Sequence, residues 1–422
     1  MGLIMATSNT LLTIGMITND ALAILENQLT FTRKVNRQYD KQFGISGAKI
    51  GDTLNIRKPV RYLGRRTPTL SVQGSTESSV PLTLTTQYGV DMSFTSADYV
   101  LSIDVFRERF IAPAVAQIAN MIDYDGLQQY KNVYNTVGTP GVTPSTNAVV
   151  LASGVKLDNE AAPMGDRSLC MNPDMQAAIV NANTALFNPT KEISSQYLKG
   201  SMGTAMGFDW YMDQNIAVHT IGTYVADVAG GAVTVTSATA SGSSIVTGGW
   251  TAGDILNVGD VITFGTTTTN GVFAINPQNY QSTGQLRQFV VTSTATAAVG
   301  GAMTINISPA IIFNTTGTPN PFATVTNTGG TIAATAVVKV FGSSAVSTPQ
   351  NVAFCKDAFT FATVMLPKMP GVDNGIATSE KLAMSIRIID GYDIINDRKI
   401  TRMDLLGGWA TLRPELACRI AG

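Results

Sequence analysis

The chain has 422 residues and a formal net charge of −1, and 44% of its residues are hydrophobic but only 14% are charged. This length exceeds the usual size of one hydrophobic core, so we expect two or three domains. The charged fraction lies well below the roughly 25% of an ordinary soluble domain, which predicts a surface of neutral side chains or one covered by partners. No apolar run approaches the roughly 18 residues of a membrane span, and the first residues lack the basic flank of a signal peptide. We therefore expect a soluble protein of the cytosol.

The residues that most often carry catalysis or bind metals are sparse. Cys170, Cys355 and Cys418 lie far apart without a C-x-x-C spacing, which favours buried reduced thiols over a disulfide framework or a zinc site. His219 is the only histidine, so any Ser/His or Cys/His catalytic arrangement would depend on that ring. We favour a structural histidine with satisfied hydrogen bonds over a catalytic one. The glycine-rich stretch at 242–253 lacks the G-K-[ST] ending of a phosphate loop. We therefore expect no cofactor and no metal.

The first predicted element is a short amphipathic helix in the stretch ITNDALAILENQL, which begins at position 17. Thr18 is placed to cap it, and Leu22, Leu25 and Leu29 form a narrow apolar stripe. The stripe fits either a helix of the chain's own core or one that docks onto a neighbour. In the second case, Asp20 and Glu26 would meet a basic helix of an assembly partner.

A long β-hairpin is predicted next, over residues 50–94. Apolar residues occupy even positions from Leu54 to Tyr62, and a second alternating run extends from Leu82 to Phe94. The segment between them is rich in Gly, Ser and Thr, and Pro59 places the first strand at a sheet edge.

The first strand of this hairpin and its tip are strongly basic. Residues 49–66 carry six cations against Asp52, a net charge of +5 that leaves −6 on the rest of the chain. A nucleic-acid site would also show aromatic residues among the cations, whereas Tyr62 falls on the opposite, apolar face. We therefore favour pairing with an acidic surface of an identical neighbour. The candidate contact residues are Arg57, Lys58, Arg61, Arg65 and Arg66 on the hairpin, and Asp104, Glu108, Asp123 and Asp125 on the neighbour.

A long helix and then a change of composition follow. Ile111, Val115, Ile118 and Ile122 have helical spacing, and Pro113 is suited to the first turn of a helix of about 20 residues. From 221 to 350 only 5 of 130 residues are charged, and short β-branched segments alternate with Gly, Asn and Pro. That pattern predicts an inserted all-β barrel or sandwich.

These elements and their order resemble the major capsid (coat) proteins of tailed bacteriophages, in particular the podovirus-type coat family that carries an inserted β domain. The resemblance covers residues 10–222 and 350–420, through stretches such as IGDTLNIRKP, RFIAPAVAQIANMIDYDGL, GFDWYMDQNI and YDIINDRKITRMDLLGGWATLRPELACRI. It implies an α+β, Hong Kong 97-like shell fold. The implied parts are an N-terminal arm (1–49), an extended loop (50–94), a peripheral domain with a spine helix from Pro113 to Asn135 (95–135), an axial domain (136–221), the insert (222–350) and the remainder of both domains (351–422).

The resemblance further implies a structural, non-enzymatic subunit that assembles as hexamers and pentamers into an icosahedral head around double-stranded DNA, without sequence-specific DNA binding. Scaffolding protein, portal and a decoration protein are the implied partners, and no membrane is involved. The protein would lie in the virion capsid, and in the host cytoplasm during assembly. Two alternatives stay open: a secreted or tail-type β-rich adhesion protein, and, with less support, an enzyme built around His219.

Overall fold

The computed structural model describes residues 14–38, 51–70, 72–74, 77–95, 110–182, 203–226, 233–314, 320–379, 384–396 and 398–422. Four α-helices lie within these ranges: α1 (Ile14–Gln28), α2 (Ala112–Leu127), α3 (Asn147–Asn159) and α4 (Pro173–Ala182). Short 3-10 helices span Gln128–Asn132, Lys356–Ala358 and Pro414–Leu416. None of the described helices is long and apolar enough to cross a membrane.

The strands fall into three groups along the chain. Before the insert they are β1 (Thr53–Arg57), β2 (Ser79–Thr83), β3 (Thr86–Thr95), β4 (Thr136–Gly138), β5 (Arg167–Met171), β6 (Thr204–Ala205), β7 (Phe208–Met212) and β8 (Val218–Thr220). Within the insert they are β9 (Thr234–Val235), β10 (Ser241–Gly248), β11 (Ile255–Leu256), β12 (Val261–Phe264), β13 (Phe273–Ile275), β14 (Ser282–Leu286), β15 (Phe289–Val291), β16 (Ala295–Thr296), β17 (Met303–Ile312), β18 (Val325–Thr326) and β19 (Val338–Val340). After it come β20 (Ser347–Cys355), β21 (Phe359–Val364), β22 (Asp373–Ser379), β23 (Met384–Asp393), β24 (Arg398–Thr411) and β25 (Ala417–Ala421).

Two sheets build the main body of the chain. A seven-stranded sheet has the order β4-β25-β20-β5-β7-β6, with β8 also paired to β20. A five-stranded sheet has the order β21-β24-β23-β22, with β3 also paired to β24. One continuous hydrophobic core joins both sheets with helices α1 to α4. The stretch GFDWYMDQN and the C-terminal RPELACRI supply β7 and β25 of the seven-stranded sheet, on either side of the insert in the sequence.

Helix α1 is a helix of the chain's own core. Leu22, Leu25 and Leu29 are buried, and the helix packs on α2, β22 and β23. The apolar stripe of α1 therefore packs against the chain's own core and is not left free to dock onto a neighbour. Thr18 is not the cap, because the described helix already includes Ile14, which places Thr18 inside the second turn.

The spine helix is shorter than predicted. Helix α2 ends at Leu127 instead of near Asn135, and the chain continues as the 3-10 helix Gln128–Asn132. A 3-10 turn satisfies carbonyls that the end of an α-helix leaves without donors. The tighter turn buries Tyr130, and Val133 is already extended at the approach to β4.

The extended loop is a hairpin, but its second strand is not the predicted one. Strand β1 pairs with β2, from Thr53 opposite Thr83 to Arg57 opposite Ser79. The long alternating run that follows, β3, pairs instead with β24. The alternation reported one buried face correctly, since Leu82, Leu84 and Tyr88 are all buried. The alternation did not predict that the run divides after Thr83 into β2, which pairs with β1, and β3, which pairs with β24. Strand pairing depends on segments that are far away in the sequence.

The insert forms a β unit with a core of its own. Its main sheet has six strands in the order β19-β12-β15-β17-β10-β9, accompanied by a three-stranded sheet (β14-β13-β18) and the pair β11-β16. A separate hydrophobic cluster fills this unit with residues that lie between Ile221 and Val346. The buried apolar side chains of this segment pack on each other, and many of its exposed positions carry neutral residues.

Candidate assembly surface

The basic hairpin keeps a defined geometry beyond its short strands. After Arg57, the Lys58 amide donates to the Ser78 carbonyl at 2.8 Å. Farther out, the Gln73 side chain takes the place of a strand: its oxygen accepts from the Leu63 amide at 2.8 Å, and its nitrogen donates to the Leu63 carbonyl at 2.6 Å. The two arms of the loop are thus held together well past the last ladder bond.

The base of the hairpin is anchored in the main body. Ile56, Leu82 and Leu84 pack in an apolar cluster with Leu406 and Leu412, near the end of the five-stranded sheet. The apolar face of β1 and β2 is therefore occupied within the chain. The cationic side chains are left for other contacts, together with the exposed side chains of Tyr62, Leu70 and Val72 nearer the tip.

Three of the five candidate cations already have partners in the same chain. Arg57 pairs with Glu77 across the hairpin at 3.2 Å, between two exposed side chains. Arg61 approaches Glu415 at 4.0 Å. Arg65 donates to the carbonyls of Thr67 and Thr69, which orders the turn at the tip. Because exposed ion pairs contribute only about 0 to 1 kcal/mol, Arg57 can exchange Glu77 for another carboxylate at little cost.

Unlike those of Arg57, Arg61 and Arg65, the side chains of Lys58 and Arg66 have neither an ion pair nor a hydrogen bond among the described residues. Arg66 is exposed at the tip, and Lys58 is half-buried at the base. Lys58 lines an open groove of about 200 Å³ whose other charged walls are Arg57, Arg413 and Asp357. Cations therefore outnumber carboxylates along this groove.

The acidic candidates are placed very differently from one another. Asp104 and Glu108 lie outside the described residues. Asp125 is half-buried and accepts a hydrogen bond from the Tyr88 hydroxyl at 2.9 Å. Asp123 is only 2% exposed, so the predicted role of a surface anion for a neighbour does not fit its position. The sequence misled here because two carboxylates two positions apart on a helix point in different directions, one toward the core and one toward the surface.

Asp123 instead holds the segment after α1 to the spine helix. One carboxylate oxygen accepts from the Thr30 amide at 2.8 Å, and the other accepts from both the amide and the hydroxyl of Thr32. Burial raises the pKa of Asp123 to about 6, although these three hydrogen bonds act in the opposite direction.

The two acidic residues proposed for the arm lie on α1. Asp20 is half-buried and already takes part in an interaction within the chain. Glu26 belongs to the helix, but its side chain lies outside the described part of the structure. A role for either residue in binding an assembly partner stays a prediction.

A polar seam that the sequence did not predict joins the insert to the main body. The His219 ring donates from Nε2 to Asp260 at 2.8 Å, and its Nδ1 lies 3.1 Å from the Tyr130 hydroxyl. Asp260 also accepts from the amides of Gly222 and Asn257. The only histidine of the sequence is therefore a structural bridge between the insert and the 3-10 helix that follows α2. This is the role that the sequence analysis favoured over a catalytic one.

A second part of the seam is a buried ion pair. Arg287 of the insert pairs with Glu160, and its guanidinium stacks 4.4 Å from the centre of the Tyr134 ring. Burial raises the pKa of Glu160, and the Arg287 charge opposes that rise. Next to this pair, Gln288 exchanges two hydrogen bonds with the backbone of Thr136. The available signal was an arginine in a segment with only five charged residues, because a buried cation requires a partner.

The cysteines and the carboxylates form no reaction centre in the described ranges. All three cysteines are buried and unpaired, and burial raises the pKa of Cys418 to about 12, so that its thiol stays protonated. Within the described residues, no group of His, Cys, Asp and Glu side chains could hold a metal ion. The polar groups of the seam instead join elements of the fold.

The comparison with protein families identifies the family of this chain. A sequence model of the P22 coat protein, gene protein 5, matches residues 5–422. The chain therefore belongs to the P22 coat protein family, and it is a major capsid protein. The expectation drawn from the resemblance is confirmed for the family, the α+β class and the structural role. No curated protein matches the chain.

The comparison with solved structures finds similarity to chains from several phages. A Mycobacterium phage Che8 chain shares 10% identity at a TM-score of 0.44, covering 93% of this chain and 90% of that one. The capsid of Ralstonia phage GP4 shares 7% identity at a TM-score of 0.45, with coverage of 93% and 87%. The mature capsid of bacteriophage PhiM1 shares 11% identity at a TM-score of 0.40, with coverage of 88% and 83%.

Proposed function

We propose that this capsid protein assembles as hexamers and pentamers into an icosahedral head that encloses double-stranded DNA without reading its sequence. Assembly in the host cytoplasm would involve a scaffolding protein and a portal, and a decoration protein is a further candidate partner. Family membership supports this role. The observation that carries the mechanism is the basic hairpin, whose apolar face is occupied in its own chain while its cations remain at the surface.

The hairpin's proposed partner is an acidic surface on an identical neighbour. Residues 49–66 carry +5 and the rest of the chain carries −6, so two copies attract each other when the hairpin of one meets the body of the other. Each such contact is weak. A closed shell repeats it at every subunit, so that modest pair energies add over the lattice.

The test uses Lys58 and Arg66, the two candidate cations whose side chains have neither an ion pair nor a hydrogen bond among the described residues. Lys58→Gln with Arg66→Gln removes two charges without breaking an ion pair of the fold. We expect far-ultraviolet circular dichroism and thermal unfolding like those of the wild type, together with slower assembly measured by light scattering. High salt should slow the wild type in the same way, because it screens exposed charges.

A matched control separates position from net charge. Lys339→Gln with Lys368→Gln makes the same charge change at exposed sites of the insert and of the loop before β22. The control should assemble like the wild type. If both double variants behaved alike, the hairpin would have no special role. If the hairpin variant formed normal shells that lost DNA, nucleic acid would be its partner instead of a neighbouring subunit.

A further inference from the structure

The seven-stranded sheet presents a row of polar side chains to the insert. In the sheet register, Thr348 lies opposite His219, Gln350 opposite Ala421, and Arg419 opposite Val352. Residues two apart along β20 share a face, and directly paired residues share it too. Thr348, Gln350, Arg419 and His219 therefore point to the same side, and all four are buried.

A small cavity lies where this polar row meets the insert. Thr348, Gln350 and Arg419 line it from the sheet, and Gly259 and Asp260 line it from the insert. The volume of this cavity is about 10 Å³, which is about the space that one water molecule needs. Organic ligands are too large for it.

Arg419 brings hydrogen-bond donors to this cavity that have no acceptor among the described residues. Its side chain is 1% exposed, and one terminal nitrogen donates to the Gly259 carbonyl at 2.9 Å. The Nε and the other terminal nitrogen are buried and without a hydrogen-bond partner in the described chain. A buried charged donor left unpaired is strongly unfavourable, so an acceptor is required at this place.

The charge balance decides which acceptor fits. Burial lowers the pKa of Arg419 to about 10, so it still carries its charge at neutral pH. Asp260, in the same wall, carries the opposite charge, and its oxygens already accept from His219, Gly222 and Asn257. An added anion would meet the Asp260 carboxylate and be repelled, whereas a neutral water molecule would not.

We propose that this cavity is a binding site for a single internal water molecule that completes the hydrogen bonding of Arg419. The water accepts from Nε and from the unpaired terminal nitrogen of the guanidinium, and it donates to the side-chain oxygens of Thr348 and Gln350. These bonds lie within the range of roughly two to four that a buried water makes. The water thereby becomes part of the joint between the insert and the main body, and the inference does not depend on how the protein assembles.

The direct test is a structure of the full chain at a resolution that shows ordered water, determined once in chloride and once in bromide. We expect one peak within about 2.7–3.2 Å of an Arg419 nitrogen in both, without an anomalous bromide signal. A bromide signal would identify an anion site and overturn the proposal. So would an empty cavity, or an Arg419 side chain turned so that protein oxygens accept from all its donors.

A double-mutant cycle gives an independent readout in solution. Arg419 and Thr348 make no direct hydrogen bond, so Arg419→Met and Thr348→Val should couple only through the shared water. Each single variant should raise the unfolding equilibrium constant by losing the same water. We therefore expect the unfolding equilibrium constant of the double variant to be several-fold smaller than multiplying the two single effects would give. Arg419→Met paired with Thr247→Val, a buried threonine that does not line the cavity, should be additive. Additivity in both cycles would contradict the proposal.

Discussion

At the scale of single residues, Asp123 shows how much a buried carboxylate can hold in place. It lies on the spine helix and accepts three hydrogen bonds from Thr30 and Thr32, at the point where the arm segment leaves α1. The neighbouring Phe31 ring packs against Phe354 and Phe359. A polar contact and an aromatic cluster therefore fix the same few residues to the main body.

Replacing this carboxylate should destabilise the subunit. Asp123→Ala leaves two amides and a hydroxyl without an acceptor in a buried place, and each orphaned group costs about 1–3 kcal/mol. We expect the free energy of unfolding, measured by urea denaturation, to fall by at least about 2 kcal/mol. Asp91→Ala, at an exposed carboxylate with only a 4.0 Å contact to Arg402, should change it by less than about 1 kcal/mol. Equal effects of the two variants would show that the three hydrogen bonds contribute nothing.

The same carboxylate predicts a pH dependence with a definite sign. Its pKa is about 6 in the folded chain and 3.8 as the ordinary value. A raised folded pKa means that the folded state holds the proton of Asp123 more tightly than the unfolded state does. Proton binding by Asp123 therefore adds to the free energy of unfolding, and this contribution is complete below about pH 4 and is lost as the pH rises through 6. The stability difference between wild type and Asp123→Ala should therefore shrink from pH 4 to pH 7. A difference that grows over this range would show that the hydrogen bonds outweigh burial.

The residue scale also marks where the sequence stops being informative. His219 and Asp260 are separated by 41 positions, and Arg287 and Glu160 by 127. The sequence predicted buried thiols, because cysteine is among the most often buried residue types, and a structural histidine, because no nucleophile and orienting group could be assigned to His219. It could not pair residues across such distances. Which carboxylate meets which cation depends on sheet register, which the local pattern does not contain.

At the scale of elements, the hydrophobic period predicted which face of a helix or strand is buried, but it did not predict where a helix ends or which strands pair. The stripe of α1 and the spacing of α2 predicted their buried sides, and alternation predicted the buried side of β2 and β3. The end of α2 and the pairing of β3 with β24 were missed. Both are decided by tertiary contacts, since a 3-10 turn buries Tyr130 in one case and a distant strand supplies the hydrogen bonds in the other.

The insert is the element whose independence can be tested. Its hydrophobic cluster is separate from that of the main body, and its sheets pair only strands of the insert. We expect a fragment of residues 221–346 to fold alone, with a β-type circular dichroism spectrum and one cooperative thermal transition. The seam residues would be exposed in the fragment, which should make it less stable than the insert in the full chain. A random-coil spectrum under native conditions would show that the insert needs the main body to fold.

At the scale of the whole molecule, two cores and a polar seam give a subunit whose parts keep a fixed relation. The main body is held by one continuous core, the insert by another, and the seam links them through His219, Arg287 and Arg419. The hairpin leaves this body with its apolar base anchored and its charges outward. Such a subunit suits a lattice, because each copy presents the same contacts in the same geometry.

The central claim is that this chain is a self-assembling shell subunit, and one measurement tests it most directly. Purified full-length protein would be concentrated at low salt, alone and with a scaffolding protein, and examined by electron microscopy beside sedimentation velocity. The account predicts closed particles of uniform size that sediment far faster than the monomer. A protein that stays a monodisperse monomer at high concentration under both conditions would contradict it.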